Sequence, residues 1–171
     1  DIVFELNIIR NKFLKKIFSN IMNSVYRNSD LILVQSSKFK ENISKKINDD
    51  SKINLLYQWP ETFNKTNFKI KLDNFKENEL NIVFTGNIGS AQNFEHVIKV
   101  ANACKSLDVR WHIIGTGRDL DNVHSVNKIS DKIIFYGLKD KSEIINYLNN
   151  ADVLLISLRE GEALNSTIPG K

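Results

Sequence analysis

The sequence has a single cysteine, Cys104, among its 171 residues, so no disulfide can form within the chain. Cys104 falls on the apolar face of a predicted helix, which reads as a buried structural thiol in a reducing, cytoplasmic setting. No apolar run approaches the roughly 18 residues of a membrane span. The three histidines, His96, His112 and His124, lie on different predicted elements, and each reads as structural or surface. No His, Cys, Asp or Glu pair has metal-ligand spacing, so no metal is expected. A serine nucleophile elbow is missing. So is the three-glycine dinucleotide fingerprint, and no acidic residue follows the strand ending at Ile114 where it would hold a ribose, which argues against a nicotinamide-dependent oxidoreductase. The formal charge of +4 comes mainly from scattered lysines. It reads as a solvated surface, with no nucleic-acid partner.

What the sequence does have is Ile82-Val-Phe-Thr-Gly-Asn-Ile-Gly-Ser-Ala-Gln92, succeeded at once by a helical pattern. A strand that ends in two glycines just before a helix N-terminus leaves backbone N–H groups and the positive end of the helix dipole facing one crevice, a geometry that cradles phosphate. Taken alone, Gly86-x-x-Gly89 is ordinary turn chemistry. It gains weight from the downstream strands. Arg110 to Ile114 runs into Gly115-Thr-Gly117, Lys132 to Tyr136 runs into Gly137, and Asp152 to Ser157 runs into an acidic loop. Between these strands lie helical stripes, Phe94, Val97, Ile98, Ala101 and Cys104 in one and Ile144, Ile145, Leu148 and Ala151 in another. Alternating strands and helices predict an α/β fold with a parallel sheet whose ligands sit beyond the carboxyl ends of the strands.

Upstream, residues 11 to 27 carry Phe13, Leu14, Ile17, Phe18, Ile21, Met22, Val25 and Tyr26 opposite Lys12, Lys15 and Lys16, a strongly amphipathic helix. Such a stripe faces the core of a neighbouring domain, a membrane surface or a second copy of the chain. Asp30 to Val34 and Ile53 to Tyr57 read as strands, with a helix from Ser37 to Lys46 between them. The polar stretch from 61 to 79 reads as a linker or crossing segment and marks a domain boundary. The opening at Asp1 and the stop at Lys171 read as those of a fragment of a longer protein.

Read in order, Asp30-Leu-Ile-Leu-Val-Gln-Ser36, Ile53-Asn-Leu-Leu-Tyr-Gln-Trp-Pro60, Phe84-Thr-Gly-Asn-Ile-Gly-Ser-Ala-Gln92, Ile113-Ile-Gly-Thr-Gly117, Ile134-Phe-Tyr-Gly137, Ala151-Asp-Val-Leu-Leu155 and Ile168-Pro-Gly-Lys171 resemble the retaining glycosyltransferases of family 4. Within that family the branch that builds bacterial surface polysaccharides is the most similar. The resemblance implies a Rossmann-like parallel sheet of the two-domain GT-B type. Residues 1–60 would then be the end of the acceptor-side domain and 80–171 a truncated, incomplete donor domain. It further implies a nucleotide-sugar donor such as a UDP-sugar, a saccharide or lipid-linked acceptor, no cofactor, and a cytoplasmic enzyme associated peripherally with the inner membrane face. On this resemblance Gly86, Asn87, Ile88 and Gly89 meet the donor diphosphate. Gly137, Leu138 and Lys139 hold the base, and Glu160 or Glu162 contacts the donor sugar.

Many members of that family place an arginine directly after the first glycine and a lysine near the start of the next helix, where this chain has Asn87 and Gln92. Lys171 or Arg118 would have to compensate, with Lys171 favoured on the resemblance. The fragment is expected to be inactive alone, since the acceptor-side residues would lie upstream of Asp1. The alternatives are a GT-B sugar-nucleotide epimerase, whose glutamate and histidine signature is not visible, and a non-catalytic module that forms a homodimer through residues 11–27.

Overall fold

A computed structural model describes residues 6, 9–59, 71–125 and 130–169. The chain divides into two compact units, Asp1–Pro60 with Glu160–Gly170, and Glu61–Arg159 with Lys171.

The first unit opens with helix α1, Lys12–Asn28, started by the Asn11 side chain, which accepts from the N–H groups of Phe13 and Leu14. Strands β1, Ile32–Val34, and β2, Ile53–Leu55, pair in parallel with Ile32 opposite Ile53. Helix α2, Ser37–Ile47, connects them, capped at its start by Ser36 and ended by Asn48 in the left-handed region at φ 55°. Ile32, Val34, Ile43 and Ile53 form a small core flanked by Tyr26, Phe39 and Ile47. A 3₁₀ turn, Leu164–Ser166, returns to this unit. Ser36 Oγ donates to the Ser166 carbonyl at 2.6 Å, and Asn42 Nδ2 donates to Ser166 Oγ at 3.0 Å. Of the apolar stripe of α1 only Tyr26 packs against that core: no residue of the helix is buried, and Phe13 is 70% exposed.

The second unit is built on β3, Leu80–Thr85, β4, Val109–Ile114, β5, Ile133–Gly137, and β6, Val153–Leu154. They form one parallel sheet in the order β5-β4-β3-β6. Helices α3, Phe94–Ala103, and α4, Leu120–Ser125, cover one face, where Phe84, Ile98, Trp111 and Ile113 make the main core. Helix α5, Lys141–Asn150, covers the other face with Tyr147, over Val83 and Ile114. The expected parallel α/β architecture is what the chain forms, and the sheet steps outward from β3 to β5 and then reverses to place β6 on the far side of β3.

Details depart from the pattern-based expectation. Helix α3 stops at Ala103, so Cys104 is a helix cap and half-buried rather than a buried core thiol. In α5 the side chain that buries is Tyr147, while Ile144, Ile145 and Leu148 are only half-buried, because the strand-facing line of this helix runs through the aromatic ring. Of the 61–79 segment, residues 61–70 lie outside the described residues, and Phe75 packs its ring on His112 with centroids 3.7 Å apart. His112 is fully buried, with Nε2 at 3.1 Å from Asn81 Oδ1 and Nδ1 at 2.8 Å from Tyr136 Oη. Asn81 Oδ1 can only accept, so Nε2 carries the proton and Nδ1 accepts from the tyrosine. Burial first, and then the Arg110 charge, push the His112 pKa down to about 4. Burial also pushes Tyr136 up to about 12.

Candidate functional site

The strand order of the second unit fixes where a ligand crevice forms. Chain progression reverses between β3 and β6, and in open parallel sheets ligands bind beyond the carboxyl ends of the strands at such a reversal. The loop leaving β3 is Gly86-Asn87-Ile88-Gly89.

This loop is held from below. Gly86 N–H donates to Ile114 O and Ile88 N–H to Thr116 O, both at 2.9 Å, while Ile88 O accepts from Asp119 N–H at 3.1 Å. The Ile88 side chain is fully buried in the main core, so it anchors the loop and leaves only backbone for a ligand. Gly115 and Gly117 make the close approach possible. A Cβ on Gly115 would lie 1.9 Å from Gly86 O, and one on Gly117 2.2 Å from Ile88 O. The Gly-x-Gly after β4 is therefore the bed of the first loop, a role its spacing alone does not reveal.

Past Gly89 the chain makes a 3₁₀ turn, Ser90–Gln92, before α3. Gly89 N–H is taken by Gln92 Oε1 at 3.2 Å. The N–H groups of Asn87, Ser90 and Ala91 donate to no protein acceptor among the described residues. Asn87 is exposed and Gly89 buried. The loop can thus present neutral donors to an anion, with the N-terminus of α3 behind it.

The segment leaving β6 is latched onto this turn. Ser157 Oγ donates to Gln92 O at 2.7 Å, Arg159 N–H to Ala91 O at 2.6 Å, and Arg159 Nε to Ser90 O at 3.0 Å. Sequence pattern singles out neither Ser157 nor Arg159. Side chain to backbone bonds across such a separation leave no spacing to read.

At the end of β5 lie Gly137, Leu138 and Lys139. Gly137 sits at φ 69°, where the one-residue irregularity between β4 and β5 ends, and its carbonyl accepts from Gly115 N–H at 2.8 Å. Leu138 is 79% exposed, an apolar side chain left open at the carboxyl edge. Lys139 pairs with Glu143 at 3.3 Å, and that bond, followed by Tyr147, raises its pKa. The structure therefore brings residues 86–89 and 137–139 to the same edge of one sheet. Glu160 and Glu162 are exposed and belong to the first unit, where Glu162 O accepts from Ser166 Oγ at 2.8 Å. Lys171 lies outside the described residues. Among the described residues no cluster of His, Cys, Asp and Glu could hold a metal ion, and no helix is long and apolar enough to cross a membrane.

Residues 65–167 match the family described as glycosyl transferases group 1. No curated protein matches the sequence. Among solved structures, the chain is similar to the lipopolysaccharide outer core galactosyltransferase WaaB, at 18% identity and a TM-score of 0.58, over 76% of this chain and 37% of that one. It is similar to Anabaena Alr3699/HepE in complex with UDP and glucose, at 11% identity and a TM-score of 0.61, over 82% of this chain and 41% of that one. It is also similar to TarM, at 13% identity and a TM-score of 0.61, over 77% of this chain and 26% of that one. At these identities the likeness is one of fold, of the GT-B Rossmann-like kind. The chain spans between 26% and 41% of the length of these structures.

Proposed function

The chain belongs to the family of glycosyl transferases group 1, and from that premise we propose that it forms the donor-binding part of an enzyme that moves a sugar from a nucleoside diphosphate to a saccharide acceptor. The observation that carries this is the site of sheet reversal: the β3 loop offers free N–H donors at the crevice of a parallel sheet, and the family match spans that sheet. A reaction that leaves charge on a diphosphate needs positioning and anion stabilisation more than a protein nucleophile, and the N–H donors of this loop supply part of both.

In finer terms, the donor is a UDP-sugar and the product retains the anomeric configuration. The bond from the anomeric carbon to the phosphate oxygen breaks, a bond to the acceptor hydroxyl oxygen forms on the same face, and the hydroxyl proton passes to the departing phosphate. Gly86, Asn87 and Gly89 meet the diphosphate, with Ile88 as their anchor, and the backbone of Gly137, Leu138 and Lys139 holds the base. Glu160 or Glu162 meets the donor sugar. Support for a UDP donor comes from HepE, whose structure holds UDP and glucose. Support for envelope polysaccharide synthesis comes from WaaB, named for the lipopolysaccharide outer core. A lipid-linked acceptor would hold the enzyme peripherally at the cytoplasmic membrane face.

The test is calorimetric titration of uridine, guanosine and adenosine diphosphates into the 171-residue chain without metal. Saturable binding selective for one base, lost in Gly89→Trp, is the expected result. No binding by any of the three would remove the donor-site reading for this chain. A second reading is carried by α1: seven apolar side chains, Phe13 to Val25, stand exposed, and the chain is proposed to self-associate through 11–27. Sedimentation over a concentration range tests it, with a concentration-independent monomer as the contrary result.

A further inference from the structure

A donor site at the β3 loop has an electrostatic gap. A bound diphosphate brings about two negative charges. The segment from Gly86 to Gln92 contains no cation, and the Gln92 side-chain oxygen occupies the Gly89 N–H. Neutral N–H groups bond such an anion but bring no countercharge, whereas a guanidinium adds a full positive charge and a fork that matches phosphate.

Two arginines sit on segments that hydrogen-bond to this loop. Arg118 lies beside Asp119, whose N–H meets Ile88 O, on the loop after β4. Its side chain has no hydrogen bond among the described residues, and β4 is one strand away from the reversal. Arg159 differs on both counts. It leaves β6, the strand that forms the reversal with β3, and two of its groups, the backbone N–H and Nε, are bonded to Ala91 O and Ser90 O. Ser90 and Ala91 are also the residues whose own N–H groups are unpaired, so the guanidinium is fixed at the rim of the donor set. Glu95, whose carboxylate the Arg159 charge helps to stabilise, is itself bonded to Lys99 at 2.6 Å. The guanidinium's terminal nitrogens have no partner among the described residues, which leaves the planar face of donors that suits phosphate.

We propose that Arg159 supplies the cation of the β3–β6 crevice, its Nε holding the Ser90 carbonyl while its terminal nitrogens bind the diphosphate of the nucleotide. This rests on the donor-site reading of the β3 loop. The latch makes the charge part of the frame: a guanidinium already held in place loses less freedom on binding than a free surface lysine does. It also makes the cation a property of the loop after β6, so the glycine loop itself needs none.

The experiment is calorimetric titration of uridine, uridine monophosphate and uridine diphosphate, with the guanosine and adenosine series alongside. The proteins are the 171-residue chain, Arg159→Gln, Arg159→Lys and Arg118→Gln, each at low and high salt. Arg159→Gln is expected to weaken the diphosphate roughly ten-fold, the monophosphate less, and the nucleoside not at all. Its diphosphate affinity should also depend less on salt than that of the unsubstituted chain. Arg159→Lys should recover part of the loss, since it restores charge without the fork, and Arg118→Gln should change nothing. If the diphosphate binds Arg159→Gln as tightly as the unsubstituted chain, the proposal is wrong. Equal weakening of nucleoside and diphosphate would also overturn it, by reducing Arg159 to a structural latch. Should the unsubstituted chain bind none of the nucleotides, the donor-site reading fails and takes this inference with it, whereas binding that ignores Arg159 sinks the inference alone.

Discussion

Helices α1 and α3 share the same kind of amphipathic pattern and meet opposite fates. Over 17 residues α1 buries nothing, whereas α3 buries Phe94, Val97, Ile98 and Ala101 within 10. The sheets beneath them differ in the same way. In the second unit four parallel strands carry helices on both faces, as parallel sheets require. In the first, β1 and β2 bury Ile32, Val34 and Ile53 against α2 while Leu33 stands exposed on the other face, and Leu55, in register with Val34, stays 39% exposed. A two-stranded sheet is marginal by itself. Periodicity therefore identifies which face of an element is built for burial, and only the surrounding strands decide whether it is buried.

The largest test of that contrast compares two phenylalanines. Phe84 is fully buried, its ring edge-on to Phe94 with centroids 4.8 Å apart, and Phe84→Ala should cost about 3–5 kcal/mol in urea unfolding. Phe18 is 45% exposed on α1, and at concentrations low enough to keep the chain monomeric Phe18→Ala should stay within about 0.5 kcal/mol. Trp111, 7% exposed in the second unit, reports the first change by fluorescence, and helix circular dichroism reports the second. A cost near that of Phe84 for the α1 substitution would show that a partner covers the stripe in solution, and the contrast would collapse.

Acid should separate the units next. All three histidines fall between residues 96 and 124, in the second unit. His112 is held neutral, at about 4, against an ordinary value of 6.5. In this window the unfolded chain binds a proton that the native state refuses, so stability is full above pH 6.5 and falls as pH drops toward 4. The loss attributable to His112 is about 3 kcal/mol, and below a pH of about 4 it grows no further. Glu79, held low by its pairing with Arg110, adds a loss of the same sign at lower pH. His112→Gln should flatten the Trp111-detected slope between pH 6.5 and 4. An unchanged slope would assign the acid sensitivity elsewhere.

Smaller again is the difference between two glycines of the second unit. Gly115→Ala combines φ +134° with a Cβ 1.9 Å from Gly86 O, and should cost about 2 kcal/mol while displacing the loop. At Gly137 the added Cβ meets nothing within 4 Å, which leaves only the strain of φ +69°, about 1 kcal/mol. Nucleotide titration on both variants sharpens the point. Gly115→Ala should lose binding through the β3 loop, and equal binding by the two would mean that the bed does not shape the loop.

Much of the second unit was legible in the sequence because its strands read as short apolar runs, each closed by glycine or polar residues, although only the central β3 and β4 are largely buried and β6 is exposed. The parallel alternation came from that, and so did the position of the glycine loop. What stayed hidden had physical reasons. Helix α4, Leu120–Ser125, is too short to show a period. Gly115-x-Gly117 is visible as a motif, but its purpose is contact with the distant backbone of Gly86 and Ile88, and contacts between backbones have no side-chain signature. The latch of Ser157 and Arg159 is invisible because bonds from side chain to backbone across so many residues leave no spacing to read. In the candidate site, residues 86–89 and 137–139 could be placed at one edge from strand order alone. Glu160 and Glu162 could not be assigned to a unit that way, because the return of Leu164–Ser166 to α2 depends on the Ser36 and Asn42 side chains.

That return gives the smallest effect and the one that isolates the first unit. Ser36 works twice: its oxygen accepts from Phe39 N–H at 3.1 Å, starting α2, and its hydroxyl donates to Ser166 O at 2.6 Å. Asn11 caps α1 by a similar geometry, with Phe13 N–H at 2.8 Å and Leu14 N–H at 3.3 Å, but both partners lie in α1 itself, on an exposed helix end. Ser36→Ala should therefore cost about 1 kcal/mol, and it should speed amide exchange both in the first turn of α2 and at Asn165–Thr167. Asn11→Ala should speed exchange only within α1, by a few tenths of a kcal/mol, since the end of α1 that Asn11 caps is exposed and only Tyr26, near the other end, reaches the core. Exchange at Asn165–Thr167 that ignores Ser36→Ala would show that Ala163 and Leu164, 6% and 3% exposed, hold the returning segment by apolar burial alone. The first unit would then be organised as the second is, by its core, with its polar ties as consequences of packing.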